Sequence, residues 1–322
     1  MFKNSSVEYI PFELNFKNSS NAYLNHMFYG CEHLKALPKV NNTKPYTMND
    51  MFFNCHYLRE IPADWFGSWD FSAMSQMTSA YLGNCSGMFT SCYSLRSIPL
   101  SMFSNINPNL VYMYSYFNSG FENCYVIDEL IDLPIPFKTA WTNNAFIRMV
   151  NDCHRLKRLT FATNEDGTPI VVQWKAQTID LTKNVGFYEV PISADPEKWD
   201  TVSLNNCINY SGVTKYNSGI TADKAIYNTA TYETLKDDPD AFFLSSPYHK
   251  DRYYFSRYNR ISAVETINSL PDTSAYLTAN GGTNTIKFNG AAGLGTDGGA
   301  INTLTEEEIA VAAAKGWTVT LV

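Results

Sequence analysis

The chain has 322 residues and a net charge of −7, is 45% hydrophobic and 17% charged, and sets 41 Tyr and Phe against 55 charged side chains. Globular domains average about 25% charged residues and disordered chains are poor in aromatics, so this composition describes an ordered protein with a lightly charged surface. A pI near 5.3 gives no cationic footprint for a phosphate backbone or an anionic membrane, so no nucleic-acid partner is expected. No apolar run approaches the ~18 residues of a membrane span, and Met1 to Ser6 lack the apolar stretch of a signal peptide, so membrane insertion is not expected either.

In chain order, Val7, Ile10 and Pro11 read as the tail of a repeat whose helix is missing. That leaves an open edge, expected to be covered by a partner chain or by more of a longer protein. The repeat then occurs three times as Met-Phe-x-x-Cys-x-x-Leu-x-x-Ile/Leu-Pro. The copies are Met27, Phe28, Cys31, Leu34, Leu37-Pro38, then Met51, Phe52, Cys55, Leu58, Ile61-Pro62, then Met88, Phe89, Cys92, Leu95, Ile98-Pro99. Two weaker copies follow: Phe121, Cys124, Ile127 and Leu130, and Met149, Val150, Cys153, Leu156 and Leu159. Seven residues before each repeat cysteine stands another apolar residue, namely Leu24, Met48, Cys85, Phe117 and Phe146. Six of the seven cysteines thereby fall into one pattern.

Counted from the repeat cysteine, the apolar positions are −7, −4, −3, 0 and +3, one face of an α-helix of nearly three turns. Leu37, Ile61 and Ile98 precede proline, which disfavours helix and predicts extended backbone. The expected fold is therefore an α/β solenoid with a short helix and a short strand per coil. One unit alone buries too little to offset its chain entropy, so units must stack, which puts the cysteines in a buried ladder. Successive repeat cysteines lie 24, 37, 32 and 29 residues apart; the minimum suits one coil and the longer gaps read as insertions from one edge.

These Met-Phe-x-x-Cys-x-x-Leu units resemble the BspA-like class of leucine-rich repeats. The likeness covers roughly residues 20–160 and resumes at Ala263–Pro271 with Val264 in the cysteine place, although the spacing is less regular than in long arrays of that class. Such repeats occur in surface proteins of host-associated bacteria and in virion proteins of their phages. The resemblance implies a right-handed solenoid used for adhesion or assembly, with no catalytic residues to carry over.

Three stretches are expected: the repeats over 1–160, an irregular continuation over 161–262, and a degenerate repeat with a C-terminal capping unit over 263–322. Within the second, Ile170–Trp174 and Gln177–Leu181 read as strands, Leu204 and Cys207 as a degenerate repeat, and 222–240 as helical. Tyr248 to Arg260 concentrates aromatics and cations and reads as an inserted excursion. Near the end, Thr285–Phe288 reads as a strand, Thr305 to Glu308 as a capping box, Gly316 as a helix terminator, and Trp317–Leu321 as a last strand that seals the apolar end.

Neither a metal nor a cofactor is expected. There is no Cys-x-x-Cys pair, and beside Cys55 and Cys153 the neighbouring His56 and His154 should face out of a helix whose cysteine faces in. The Gly293–Gly298 run matches a dinucleotide fingerprint without the helix that should open on it, and Asp237, Asp238 and Asp240 lack the remainder of a calcium loop. No nucleophile constellation stands out, so no enzyme is expected. The candidate interface consists of Tyr112, Tyr114 and Tyr116, which share one face of a strand, and of Tyr248, Arg252, Tyr253, Tyr254, Arg257, Tyr258 and Arg260. Tyrosine and arginine are the side chains that protein interfaces favour. The expected protein is thus a non-enzymatic binding or structural scaffold and a homo-oligomer. Its expected place is a phage virion, as a fibre or decoration protein contacting other structural proteins. The alternative is a bacterial cell-surface adhesin binding a host glycan or matrix protein.

Overall fold

The computed structural model describes residues 1–16, 22–41, 43–67, 69–71, 85–100, 117–124, 127–135, 139–140, 145–153, 156–182, 258–290, 292 and 298–322. Across these, the repeats do not fold as helices. In every unit the residues five and one before the cysteine have positive φ: His26 and Gly30, Asp50 and Asn54, Gly87 and Ser91, Ser119 and Asn123, Arg148 and Asp152. An α-helix of L-residues cannot carry a left-handed residue at every fourth position.

Each unit is instead a run of overlapping turns. In the first, Met27 N–H donates to Leu24 O at 3.2 Å, Tyr29 to His26 at 3.2 Å, Cys31 to Phe28 at 3.0 Å and Leu34 to Cys31 at 3.0 Å; the same four positions bond in each of the other four units. The N–H groups between them leave the unit and bond to the next one. His26, Phe28 and Gly30 donate to the carbonyls of Asn49, Met51 and Phe53 at 3.0, 2.9 and 2.7 Å, and equivalent triplets join the second unit to the third, the third to the fourth and the fourth to the fifth. The apolar spacing −7, −4, −3, 0, +3 is common to a helix and to this chain of turns, which is why it suggested a helix.

Two columns fill the interior along the stack. Phe2, Phe28, Phe52, Phe89 and Phe121 lie ring on ring at 5.7, 5.5, 5.5 and 5.9 Å, with interplanar angles of 3° to 5°. Beside them each cysteine thiol donates to the carbonyl of the preceding unit's phenylalanine: Cys31 to Phe2 at 2.9 Å, Cys55 to Phe28 at 3.2 Å, Cys92 to Phe52 at 3.1 Å, Cys124 to Phe89 at 3.2 Å and Cys153 to Phe121 at 3.0 Å. Those carbonyls already accept an N–H of their own unit, from Ser5 at Phe2 and from the cysteine in the others, so the thiol uses their second lone pair. Met27, Leu34, Met51, Leu58, Met88, Leu95, Met149 and Leu156 are buried around the columns, as are the residues seven before each cysteine.

Short strands follow the turns and pair in parallel between units. They are β1 (Leu14–Asn15), β2 (Ala22–Tyr23), β3 (Val40–Asn41), β4 (Pro45–Thr47), β5 (Glu129–Leu133), β6 (Thr139–Ala140), β7 (Arg158–Phe161) and β8 (Gln173–Trp174), with β1 on β3, β2 on β4, β5 on β7 and β6 on β8. The expected missing helix at the N-terminus needs correction too. Phe2, Asn4 and Ser5 occupy the places of Phe28, Gly30 and Cys31: Phe2 and Asn4 donate to Met27 and Tyr29 at 2.9 and 2.6 Å, and Asn4 has a φ of 58°.

The C-terminal part changes construction. A parallel sheet runs β9 (Thr178–Leu181), β10 (Asn284–Phe288), β11 (Trp317–Leu321) in the order 9-10-11, and three α-helices accompany it: α1 (Arg260–Ser269), α2 (Ser274–Asn280) and α3 (Glu306–Ala314). Reciprocal capping boxes open α1 (Asn259 with Ser262) and α3 (Thr305 with Glu308). Val264 is only half-buried; Ala263, Ile267 and Leu270 face inward, because a helix replaces the turns here. Trp317 caps the Pro271 carbonyl with its indole N–H at 2.8 Å, as Trp65 caps Pro38 at 2.7 Å.

Candidate interaction surface

The turn geometry that points −7, −4, −3, 0 and +3 inward brings the remaining positions of successive units together on the outside. Rings recur there. Tyr29 lies flat on Phe53 at 4.9 Å and carries the Lys3 ammonium 4.8 Å above its other face. His33 stacks on Tyr57 at 5.7 Å and Tyr23, 68% exposed, leans on Tyr46 at 5.2 Å, while Tyr93 lies over a buried His56 at 4.3 Å. Between the Tyr23–Tyr46 and Tyr29–Phe53 pairs, His26 Nε2 meets Asp50 Oδ2 at 3.3 Å across the first junction. Burial raises the Asp50 carboxyl, and the facing imidazole opposes that shift. This surface offers ring edges and polar tips held in register by the backbone beneath, which suits contact with another macromolecule.

His56 departs from the sequence expectation. It is 7% exposed instead of facing out, with Nδ1 3.8 Å from the Glu32 carboxylate and the Tyr93 ring stacked on it at 4.3 Å. His154 lies outside the described residues. The repeat thiols behave as packing groups: burial pushes Cys55, Cys92, Cys124 and Cys153 well above the ordinary thiol range, so the thiolate is suppressed. Among the described residues no three His, Cys, Asp or Glu side chains converge as a metal site would require.

Tyr112, Tyr114, Tyr116, Tyr248, Arg252, Tyr253, Tyr254 and Arg257 lie outside the described residues, as do Cys207, 222–240 and Gly293 to Asp297. Of the other two interface candidates, Tyr258 is corrected. Tyr258 is 1% exposed, its hydroxyl bonded to Thr266, and burial holds its phenol far above the ordinary range. Arg260 pairs with Glu308 and ties α1 to α3. Both belong to the C-terminal packing. The outer rings of the first three units were missed because they fall between the repeat's apolar positions; aligning the units on their cysteines and reading the intervening columns exposes them.

Comparison with protein-family models, with curated proteins and with solved structures gives no match. No helix among the described residues is long and apolar enough to cross a membrane.

Proposed function

We propose that the chain is a solenoid of turns and short strands, of the BspA-like leucine-rich-repeat type, that works as a non-enzymatic scaffold for binding and assembly. The observation that carries this reading is the use of one device at every junction: three backbone bonds, one thiol bond and one pair of phenylalanine rings join each unit to the next through the fourth. The outer positions are then left to vary, and the first units fill them with stacked rings. A phage particle, with this chain as a fibre or decoration protein among other structural proteins, is the setting the repeat type favours. Flanking genes and gradient-purified particles test it. Portal and capsid genes alongside, with the chain co-sedimenting with capsid protein, are expected. An export signal upstream, with the chain recovered only from a bacterial envelope, would replace the virion reading by the surface-adhesin one.

A further inference from the structure

β11 is the outer strand of its sheet, and among the described residues nothing pairs with its outer side. Val322 N–H donates to Phe288 O at 3.0 Å and its carbonyl accepts from Gly290 at 2.9 Å, so residues 318, 320 and 322 turn their backbone toward β10. The N–H and C=O groups of Trp317, Val319 and Leu321 therefore face outward. Exposed edges are ordinarily blunted by charged side chains, proline or a bulge, and Trp317-Thr318-Val319-Thr320-Leu321-Val322 has no charged side chain and no proline, while its pairing to β10 is unbroken over five residues.

The side-chain rows of the sheet stop abruptly at this edge. Ile179 and Ile286 are both 0% exposed, and their row ends on a half-buried Val319; Leu181 and Phe288 are buried, and their row ends on Leu321, 38% exposed. The opposite face carries Thr178, Thr285 and Thr318 in one row and Asp180, Lys287 and Thr320 in the next.

We propose that a second copy of this chain occupies the edge, with the two β11 strands antiparallel across a two-fold axis at Val319. The strand is self-complementary in that arrangement. Val319 meets its own copy and Thr318 meets the other Thr320, pairs of the β-branched kind that stabilise sheets, while the buried Trp317 lies opposite the other Leu321. The outward groups of 317, 319 and 321 supply about six backbone hydrogen bonds. The apolar row then runs Ile179, Ile286, Val319 and on through the partner copy in reverse, so the exposed row ends cover each other. Charge points the same way: each copy carries −7, and a seam without charged side chains is where two such molecules approach with least repulsion. The inference goes beyond the scaffold reading, since a monomeric chain would overturn it without touching that reading, and absence from particles would do the reverse.

Sedimentation velocity of the full chain over the micromolar range is the test, and a species of twice the 36.4 kDa chain mass is expected. Replacing both Thr318→Lys and Thr320→Lys sets like charges opposite each other twice across the axis, on the polar face, and should weaken the dimer about 10- to 100-fold. Thr318→Lys with Thr320→Glu turns both contacts into opposite-charge pairs and should restore it. Amide exchange supplies a readout free of mutation: the Val319 and Leu321 N–H groups should gain protection as concentration rises. A wild-type chain that sediments as a monomer throughout, a double-lysine variant that stays dimeric, or concentration-independent exchange at Val319 would each overturn the proposal.

Discussion

Replacing Arg148 by glycine and by alanine separates the chain of turns from a helix by the sign of the difference. Arg148 is exposed and has a φ of 54°. Any residue with a Cβ pays roughly 1–2 kcal/mol in that left-handed conformation, and alanine keeps the Cβ while glycine removes it. Glycine gives back about 0.5–1 kcal/mol through the greater freedom of the unfolded chain. In the turn, Arg148→Gly should therefore be more stable than Arg148→Ala by about 0.5–1 kcal/mol. In the interior of a helix the order reverses, with glycine about 1 kcal/mol worse than alanine. Both variants lose the same guanidinium, so charge and side-chain packing cancel from the comparison. Urea denaturation of the two proteins side by side is the assay, with a difference in melting temperature of roughly 2 °C as its thermal counterpart. An alanine variant more stable than the glycine variant would refute the left-handed assignment and, with it, the inter-unit ladder that depends on turning N–H groups outward.

Cys92→Ala removes the thiol bond to Phe52 and leaves a void at a fully buried site; a loss of about 1.5–3 kcal/mol in urea unfolding is expected. The repeat thiols, buried and held above their ordinary range, should label with a thiol reagent only as fast as the protein opens, and rapid labelling of folded protein would contradict the ladder. A Cβ at Gly87 would lie 2.1 Å from Asp50 Oδ1 at a φ of 63°, so Gly87→Ala should cost about 2–3 kcal/mol, of which about 1 kcal/mol returns when Asp50→Gly is added. Trp65→Phe strips the Pro38 carbonyl of its buried donor and should cost about 1–3 kcal/mol, measurable by the same denaturation. Burial raises Asp50 in the folded state from 3.8, so its favourable share of stability is present below that pH and is lost as pH rises through the folded value; Asp50→Asn should flatten stability against pH across that window.

The inward residues were legible because burial demands apolar types at fixed spacing, and Phe28, Cys55, Leu95 and their equivalents satisfy it unit after unit. Backbone conformation was not, because hydrophobic spacing reports which side a residue faces and says little about how the chain turns between such residues. The missing information sat in a polar column. Four of the five residues just before a repeat cysteine are Gly30, Asn54, Asn123 and Asp152, types that tolerate positive φ, and the chain's 31 asparagines supply many such positions. The C-terminal elements were read more closely because their signals are specific: Thr305 with Glu308 is a reciprocal cap, and Gly316, at φ 81°, ends the helix before β11. For the outer surface no pattern of burial exists to read, so Tyr258, which the sequence offered as an interface residue, proved to be core, while Tyr29 and Phe53 went unnoticed.

The turn geometry also accounts for the uneven spacing of the units. The bonds that recur at every junction between units, three between backbone groups and one from a thiol, lie within the segment from seven residues before the cysteine to three after it. Because the ladder demands only left-handed-tolerant residues at two places and small or apolar residues inside, the chain between one segment and the next can vary in length around the short parallel strands that pair there. Loop closure grows slowly with length, so the 37 residues from Cys55 to Cys92 cost little more than the 24 from Cys31 to Cys55. A helical unit would lock its N–H groups within itself and leave stacking to side chains alone; a turn unit spends half of them on its neighbour, which is how so short a repeat holds its register while its connections vary.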